Sequence, residues 1–274
     1  MAGGLMKKIG FVGAGNMASA LIRGLLRAGQ HDASDLWASD PVDAQLRRLK
    51  RAHKIEVTRD NRDLVRRSQT IILAVKPQVM AAVLDEVRAE VNPRKLFISI
   101  AAGFPLRRLE AGLGGQARVV RVMPNTPVLV GRGISVAVAG SKATPADLKH
   151  ALKLFKSVGE VVSITGEDLL DAVTALSGSG PAFVYGFAEA LIEGGVRGGL
   201  PQPLAAQLAY ATIGGAAAML SESGLSPREL RDMVTSPGGT TLAGLGALDA
   251  HHFRDGLIAA VEAATRRARE LAAA

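Results

Sequence analysis

Over its first 166 positions the chain sets short apolar runs, rich in Val, Ile and Leu, between segments with helical periodicity. The runs at 8–12, 35–39, 70–75, 96–100, 119–122, 134–139 and 160–164 predict β-strands, and the segments 18–28, 42–52 and 79–91 predict helices. Strands that read as continuous apolar runs, alternating with helices, are the pattern of a mostly parallel sheet, because crossover helices cover both of its faces. After Gly166 the strand pattern stops. Ala-rich helical patterns run to the end of the chain, broken at 178–181, 198–203, 224–227 and 236–239 by Gly, Pro and Ser. In the last segment Phe253, Leu257, Val261, Ala264, Ala268 and Leu271 recur at helical spacing. The pattern therefore predicts two domains, an α/β domain over 1–166 and an all-helical domain over 167–274.

Composition narrows this picture. At 274 residues, 48% hydrophobic and 21% charged, the chain has the apolar material for a real core, and with only 4% aromatics that core must be aliphatic. The helical half has few large side chains, so it is expected to complete its core against the same domain of a second subunit. Residues 198–221 carry no charge, but Pro201, Gln202, Pro203, Gln207, Gly214 and Gly215 interrupt them. A helix buried at a subunit contact is expected there, not a membrane span. The absence of cysteine excludes disulfides, thiolate metal sites and a cysteine nucleophile, and no metal site is expected. The segment 1–8 has no apolar stretch ahead of its lysines, so a cytoplasmic protein is expected. Residues 1–166 hold 26 Lys and Arg against 13 Asp and Glu, whereas 167–274 hold 7 against 12. The basic charges are scattered between strands and cluster only at 47–51, so a solvated face beside a phosphate-bearing ligand is expected, and no nucleic acid.

Candidate chemistry begins at Gly13-Ala14-Gly15-Asn16-Met17-Ala18, which directly follows the first strand and opens a helix. That context is what a dinucleotide-binding turn requires. Gly13 allows the tight turn, Gly15 lets a pyrophosphate approach the backbone, and Ala18 keeps helix and strand close. Asp40, at the end of the second strand, is placed to bind ribose hydroxyls, as in NAD-selective sites. Ser39 with Arg47 and Arg48 could instead accept a 2′-phosphate, so the cofactor is read as NADPH or NADH, with a lean to NADPH. The strand at 70–75 runs into Ala74-Val75-Lys76-Pro77 at the edge where ligands bind, and Lys76 there could face a phosphate or a carboxylate. Ala101-Ala102-Gly103 ends the next strand with small residues, and Met123-Pro124-Asn125-Thr126-Pro127 ends the one after. Farther on, Ser236-Pro237-Gly238-Gly239-Thr240-Thr241 offers backbone amides at a helix start together with two hydroxyls, a combination suited to an anion.

Taken together the segments 74–78, 124–127, 171–182 and 232–241 resemble pyrroline-5-carboxylate reductase, and the likeness covers nearly the whole chain. The resemblance implies a Rossmann domain followed by an all-α domain interleaved with that of a dimer partner, and in some members rings of dimers. It implies reduction of 1-pyrroline-5-carboxylate to proline by hydride from NADPH or NADH, the last step of proline biosynthesis. Carried over by motif, Val12, Gly13, Ala14, Gly15, Asn16, Met17, Ser39, Asn61, Ala74, Val75, Lys76, Pro77, Ala101, Ala102 and Gly103 would line the dinucleotide. Ser236, Gly238, Gly239, Thr240 and Thr241 would hold the substrate carboxylate. Thr241 and Ser177 are the candidates for the reacting end, Ser177 either donating to the imine nitrogen or only packing there. Gly224 and Met233 stand where some relatives carry an acidic residue and Asn.

The resemblance agrees with an absence in the chain. The last lysine is Lys156, so the helical half contains none, and its only histidines are the adjacent His251 and His252. Reducing a carbonyl requires an acid for the developing alkoxide, which related hydroxyacid dehydrogenases take from a lysine in their helical domain, whereas an iminium already carries the needed charge. A hydroxyacid dehydrogenase, another imine reductase and a non-catalytic dinucleotide sensor are the competing readings.

Overall fold

The computed structural model describes residues 8–273. The reading of 1–8 as lacking a leader falls almost wholly outside them. Packing divides the chain into two compact units, one running to Ser179 and taking in the chain from Ala264 on, the other Gly180–Ala263.

In the first unit the chain order is β1 (Ile9–Val12), α1 (Asn16–Arg27), β2 (Leu36–Ser39), α2 (Asp43–His53), β3 (Glu56–Thr58), α3 (Asn61–Arg67), β4 (Thr70–Leu73) and α4 (Pro77–Val87). There follow β5 (Leu96–Ser99), α5 (Leu106–Gly112), β6 (Arg118–Pro124), β7 (Gly133–Ala139), α6 (Pro145–Phe155), β8 (Gly159–Ser163) and α7 (Leu169–Val173). The strands form one sheet in the order β3-β2-β1-β4-β5-β6-β7-β8. All neighbours are parallel except β6 and β7, which pair antiparallel with Val122 opposite Ala137. The order reverses at β1, which lies between β2 and β4, and in such sheets ligands bind beyond the carboxyl ends of the strands at that reversal.

Strands β1, β4 and β5 are buried at every position, as crossover helices on both faces require. On one face Ile9 and Phe11 pack with Leu21, Ile22 and Leu25 of α1 and with Leu154 and Phe155 of α6. On the other, Ile71 and Leu73 pack with Leu64 and Val65 of α3, Met80 and Leu84 of α4 and Leu109 of α5. β1 carries Gly10 on that second side because a Cβ there would come within 2.4 Å of Leu64 Cδ2. Helix α6 starts on a capping box, Thr144 and Asp147 bonding reciprocally with Pro145 in the first turn. Beyond the sheet, Glu167 accepts from the buried Arg121 of β6 at 2.6 Å and from the amide of Leu106 at 2.7 Å, which fixes the approach to α7.

The second unit holds α8 (Gly180–Arg197), α9 (Gln202–Glu222), α10 (Pro227–Met233), α11 (Thr240–Ala250) and the start of α12 (Phe253–Ala273). Helices α8 and α9 pack closely where small residues meet, since a Cβ on Gly195 would lie 3.2 Å from Ala205 Cβ. Most of the unit's large apolar side chains are exposed, among them Tyr185, Leu204, Leu208, Tyr210, Leu220 and Leu257. Helix α9 is long and apolar enough to cross a membrane, with a mean hydropathy of 1.3, and little of it is buried within the chain.

Candidate functional site

The dinucleotide candidates lie in the first unit, at the carboxyl edge around β1. Gly13 turns the chain with a φ of 102°. A Cβ there would lie 2.7 Å from Ala74 O, so the close approach of β1 and β4 at their ends requires glycine. The turn is pinned by Gly13 N–H donating to Ser39 O and Ala74 N–H to Val12 O, both at 2.8 Å. Gly15 is the N-cap of α1 in extended conformation, with no side chain capping the helix. A Cβ on Gly15 would meet nothing within 4 Å. The first helical bond runs from Ser19 N–H to Gly15 O, which leaves the amides of Asn16 and Met17 without helical acceptors and facing that open space. A phosphate fits the arrangement: the backbone is bare where it would approach, and the donors are already oriented.

Asp40 behaves differently from its sequence expectation. Its Oδ2 accepts from Ala14 N–H and its Oδ1 from Val42 N–H, both at 2.9 Å, so the carboxylate braces the glycine turn. Ser39, fully buried, donates through Oγ to Asn61 Oδ1 at 2.7 Å, and Asn61 Nδ2 donates to Glu86 Oε2 at 2.7 Å. The structure thus brings Ser39 and Asn61 together across β2 and α3, and adds Glu86 of α4, which the sequence reading missed. Pro77 occupies the first turn of α4, and Lys76, its N-cap, is exposed with no carboxylate within 4.0 Å among the described residues. Ala101 is buried and Ala102 exposed. Gly103, carried over as lining the dinucleotide, adopts a φ of 68° and has Leu271 of α12 beside it, 3.4 Å from where its Cβ would lie.

Ser177 sits in a π-helical turn, Thr174–Gly178, that joins α7 toward α8. Its hydroxyl donates back to Val173 O at 2.9 Å. Its carbonyl accepts from Asn125 Nδ2 at 3.1 Å, while Asn125 Oδ1 accepts from Ile134 N–H at 3.0 Å. Residue 181, four positions on, is a proline with no N–H to offer that carbonyl, so the buried Asn125 amide satisfies it. Asn125 was noted in the sequence only as part of a strand end.

The anion candidates lie in the second unit. Gly239 N–H donates to Ser236 O at 3.0 Å, closing a turn with Pro237 and Gly238, whose φ is 68°. A Cβ on Gly239 would lie 2.4 Å from Ser236 Oγ. Gly238 therefore has a backbone reason to be glycine, and at Gly239 a Cβ would require the Ser236 hydroxyl to turn away. Gly239 caps α11 with no side-chain hydrogen bond, and the hydroxyls of Thr240 and Thr241 make none among the described residues. Gly224 adopts a φ of 72°, which accounts for glycine there, and Met233 is exposed. Among the described residues no group of three or more His, Cys, Asp or Glu side chains is placed to hold a metal.

Fold and cradle define a dinucleotide-binding oxidoreductase architecture with a helical second part. Residues 8–103 match the family model described as NADP oxidoreductase coenzyme F420-dependent, and residues 167–271 match that for pyrroline-5-carboxylate reductase dimerisation. A pyrroline-5-carboxylate reductase of Methanosarcina acetivorans is 46% identical, covering 97% of this chain and 98% of the relative, and one of Arabidopsis thaliana is 41% identical over 96% and 95%. A solved pyrroline-5-carboxylate reductase from Coxiella burnetii superposes with a TM-score of 0.92 at 34% identity, covering 97% of this chain and 98% of that one. The Plasmodium falciparum enzyme, solved with NADP bound, superposes at 0.87 and 34% identity, covering 97% and 99%. The chain belongs to the pyrroline-5-carboxylate reductase family.

Proposed function

We propose that the chain reduces 1-pyrroline-5-carboxylate to L-proline with NADPH, the last step of proline biosynthesis. The observation that carries the reading is the presence in one chain of two helix starts capped by glycine, with no side chain on the first-turn amides, α1 behind the Gly13–Gly15 turn and α11 behind the Ser236–Gly239 turn, in a sequence matched over nearly its full length by reductases of this name.

Val12, the turn from Gly13 to Met17 through its free Asn16 and Met17 amides, Ala74 to Pro77 and Ala101 to Gly103 hold the dinucleotide, with Ser39 and Asn61 at its ribose end. When bound, it supplies the hydride. The amides of Thr240 and Thr241, with their uncommitted hydroxyls, hold the substrate carboxylate. The helical half provides no lysine acid, and none is needed if the imine arrives protonated, because hydride addition then neutralises a charge instead of creating an alkoxide. The Ser177 hydroxyl, which gives its proton to Val173 O, offers lone pairs to a protonated imine and not a proton. The 3-hydroxyisobutyrate dehydrogenase that this chain resembles at 18% identity and a TM-score of 0.53 shares the fold alone.

The exposed apolar side chains of α8, α9 and α11 are the surface of self-association, in keeping with the dimerisation model over 167–271. The protein is proposed to be a cytoplasmic homodimer.

The test is oxidation of NADPH followed optically with purified protein and pyrroline-5-carboxylate. Turnover is expected, and none from folded, self-associated protein overturns the reading. Thr241→Ala should raise the KM for the imine more than that for the cofactor; an unchanged imine KM rejects its role.

A further inference from the structure

In doubly wound folds the group at the end of the second strand decides between the two nicotinamide cofactors: a free carboxylate takes the ribose 2′- and 3′-hydroxyls of NADH, and a basic group takes the 2′-phosphate of NADPH. In this chain the carboxylate at that place is already engaged. Asp40 holds Ala14 N–H with one oxygen and Val42 N–H with the other, each at 2.9 Å. Two of its roughly four lone-pair sites are therefore taken by the backbone of the turn that carries the pyrophosphate and of Val42.

The group left facing the turn is a cation. Arg48, one helical turn and a half into α2, places Nη2 3.4 Å from Ala14 O and Nη1 3.4 Å from Asn16 Oδ1. Both contacts are long and both acceptors neutral, so a guanidinium with five donors has most of its capacity unfilled. No carboxylate lies within 4.0 Å of Arg48, Arg47, Lys50 or Arg51 among the described residues; Asp43, in the first turn of the same helix, is paired with Arg59 at 3.6 Å. The positive charge on this helix face is consequently not neutralised by an ion pair among the described residues. It is felt at His53, whose pKa is lowered by burial first and then by the charges of Arg23 and Arg48. A neutral ribose diol gains nothing from such a field, whereas a phosphate dianion gains charge-assisted bonds.

We propose that Arg48 is the specificity-determining residue that binds the 2′-phosphate and so sets the preference for NADPH over NADH. The inference rests on the reductase reading above. Arg48 is singled out among the α2 cations because it alone touches the glycine turn. Arg47, Lys50, Arg51 and Lys54 share the outer side of the helix with Ala44.

The test uses direct binding by the full-length protein, without turnover. Dissociation constants for 2′,5′-ADP, ADP and NADPH are measured by calorimetry at fixed ionic strength for the wild type, Arg48→Gln and, as a control for net charge, Arg51→Gln. The wild type is expected to bind 2′,5′-ADP more tightly than ADP. Arg48→Gln should weaken 2′,5′-ADP by about 10- to 100-fold, the range for losing a hydrogen bond to a charged group, and leave ADP within about twofold. Arg51→Gln should keep the preference. Arg48 sits on an exposed helix face, so an unchanged melting temperature checks that the variant is folded. A preference that survives Arg48→Gln, a wild type that does not distinguish the two nucleotides, or an equal loss in Arg51→Gln overturns the role of Arg48 while leaving NADPH binding intact. A wild type that binds none of the three overturns the cofactor reading itself.

Discussion

Gly13 and Gly15 stand two residues apart in one turn, and the structure assigns them opposite kinds of necessity. Replacing Gly13 by Ala places a Cβ 2.7 Å from Ala74 O and forces a side chain into a φ of 102°. The left-handed conformation costs about 1–2 kcal/mol. The overpacked contact costs about 1–3 kcal/mol more, because the neighbour is backbone held by the 2.8 Å bond from Ala74 N–H to Val12 O. The total, about 2–5 kcal/mol, corresponds to a melting temperature lower by roughly 3–9 °C for a chain of this size. Gly15 has a φ of −71° and a ψ of −173°, which any residue adopts, and a Cβ there touches no protein atom within 4 Å. Gly15→Val should therefore leave the ligand-free melting temperature within about 2 °C of wild type, since the lost backbone freedom of the unfolded chain is a small gain of about 0.4–1 kcal/mol. It should abolish the stabilisation by NADPH, which in the wild type is about 2.7 kcal/mol at a hundredfold excess over Kd. Thermal unfolding of both variants with and without NADPH makes the comparison. If Gly15→Val melts as early as Gly13→Ala without ligand, or keeps the full NADPH-induced rise, the separation of a folding glycine from a binding glycine is wrong.

Asn125→Ala removes the donor to Ser177 O and the acceptor of Ile134 N–H, and should cost about 1–3 kcal/mol in urea unfolding; Asn125→Asp, which keeps only the acceptor, should lose part of this, and an unchanged midpoint for Ala would refute the clamp. Lys95 is buried with its ammonium on the carbonyls of Val65, Arg66 and Ser68 at the end of α3, so Lys95→Met should destabilise by about 1–3 kcal/mol, and a neutral or stabilising result would show that those carbonyls find other donors. His150, bonded to Thr70 Oγ1, has its pKa pushed down from 6.5 to about 4, by burial first and then by His31, with Asp147 opposing. The unfolded chain takes up this proton before the folded one does, so the contribution is present above pH 6.5 and is lost as pH falls from 6.5 toward 4. His150→Gln should flatten that part of the stability profile between pH 7 and pH 5, and a variant that loses as much as wild type would exclude the group.

Much of the first unit was legible along the chain because its signals are local. Strands β1, β4 and β5 are buried on both faces and read as unbroken apolar runs, and the glycine turn declares itself by following one of them into a helix. β3 and α3 were not legible. β3 is a three-residue strand with an exposed first position, and α3, Asn-Arg-Asp-Leu-Val-Arg-Arg, buries only Leu64 and Val65, so neither carries a periodic pattern long enough to read. The reversed direction of β7 was equally silent, since a strand has the same alternation whichever way it runs. At the site, Ser39 and Asn61 were named by motif, but their bond and its continuation to Glu86 need three elements placed side by side. Asp40 was read for its charge and position; that both its oxygens turn inward to Ala14 and Val42 depends on where the turn folds back.

The sequence by itself determined what covalent structure and short-range sterics enforce: where strands alternate with helices, that a dinucleotide turn opens α1, that the helical half has no lysine acid, and that Ser236 to Thr241 begin a helix behind a tight turn. Only the tertiary structure decided which polar groups are already satisfied. It shows Asp40 bracing the turn, the Ser177 hydroxyl bonded to its own helix, Leu271 beside Gly103, and Arg48 left without a carboxylate partner. The reason is that a hydrogen bond or an ion pair depends on distances of a few tenths of an ångström between residues far apart in the chain, and those distances exist only once the sheet and its helices have packed.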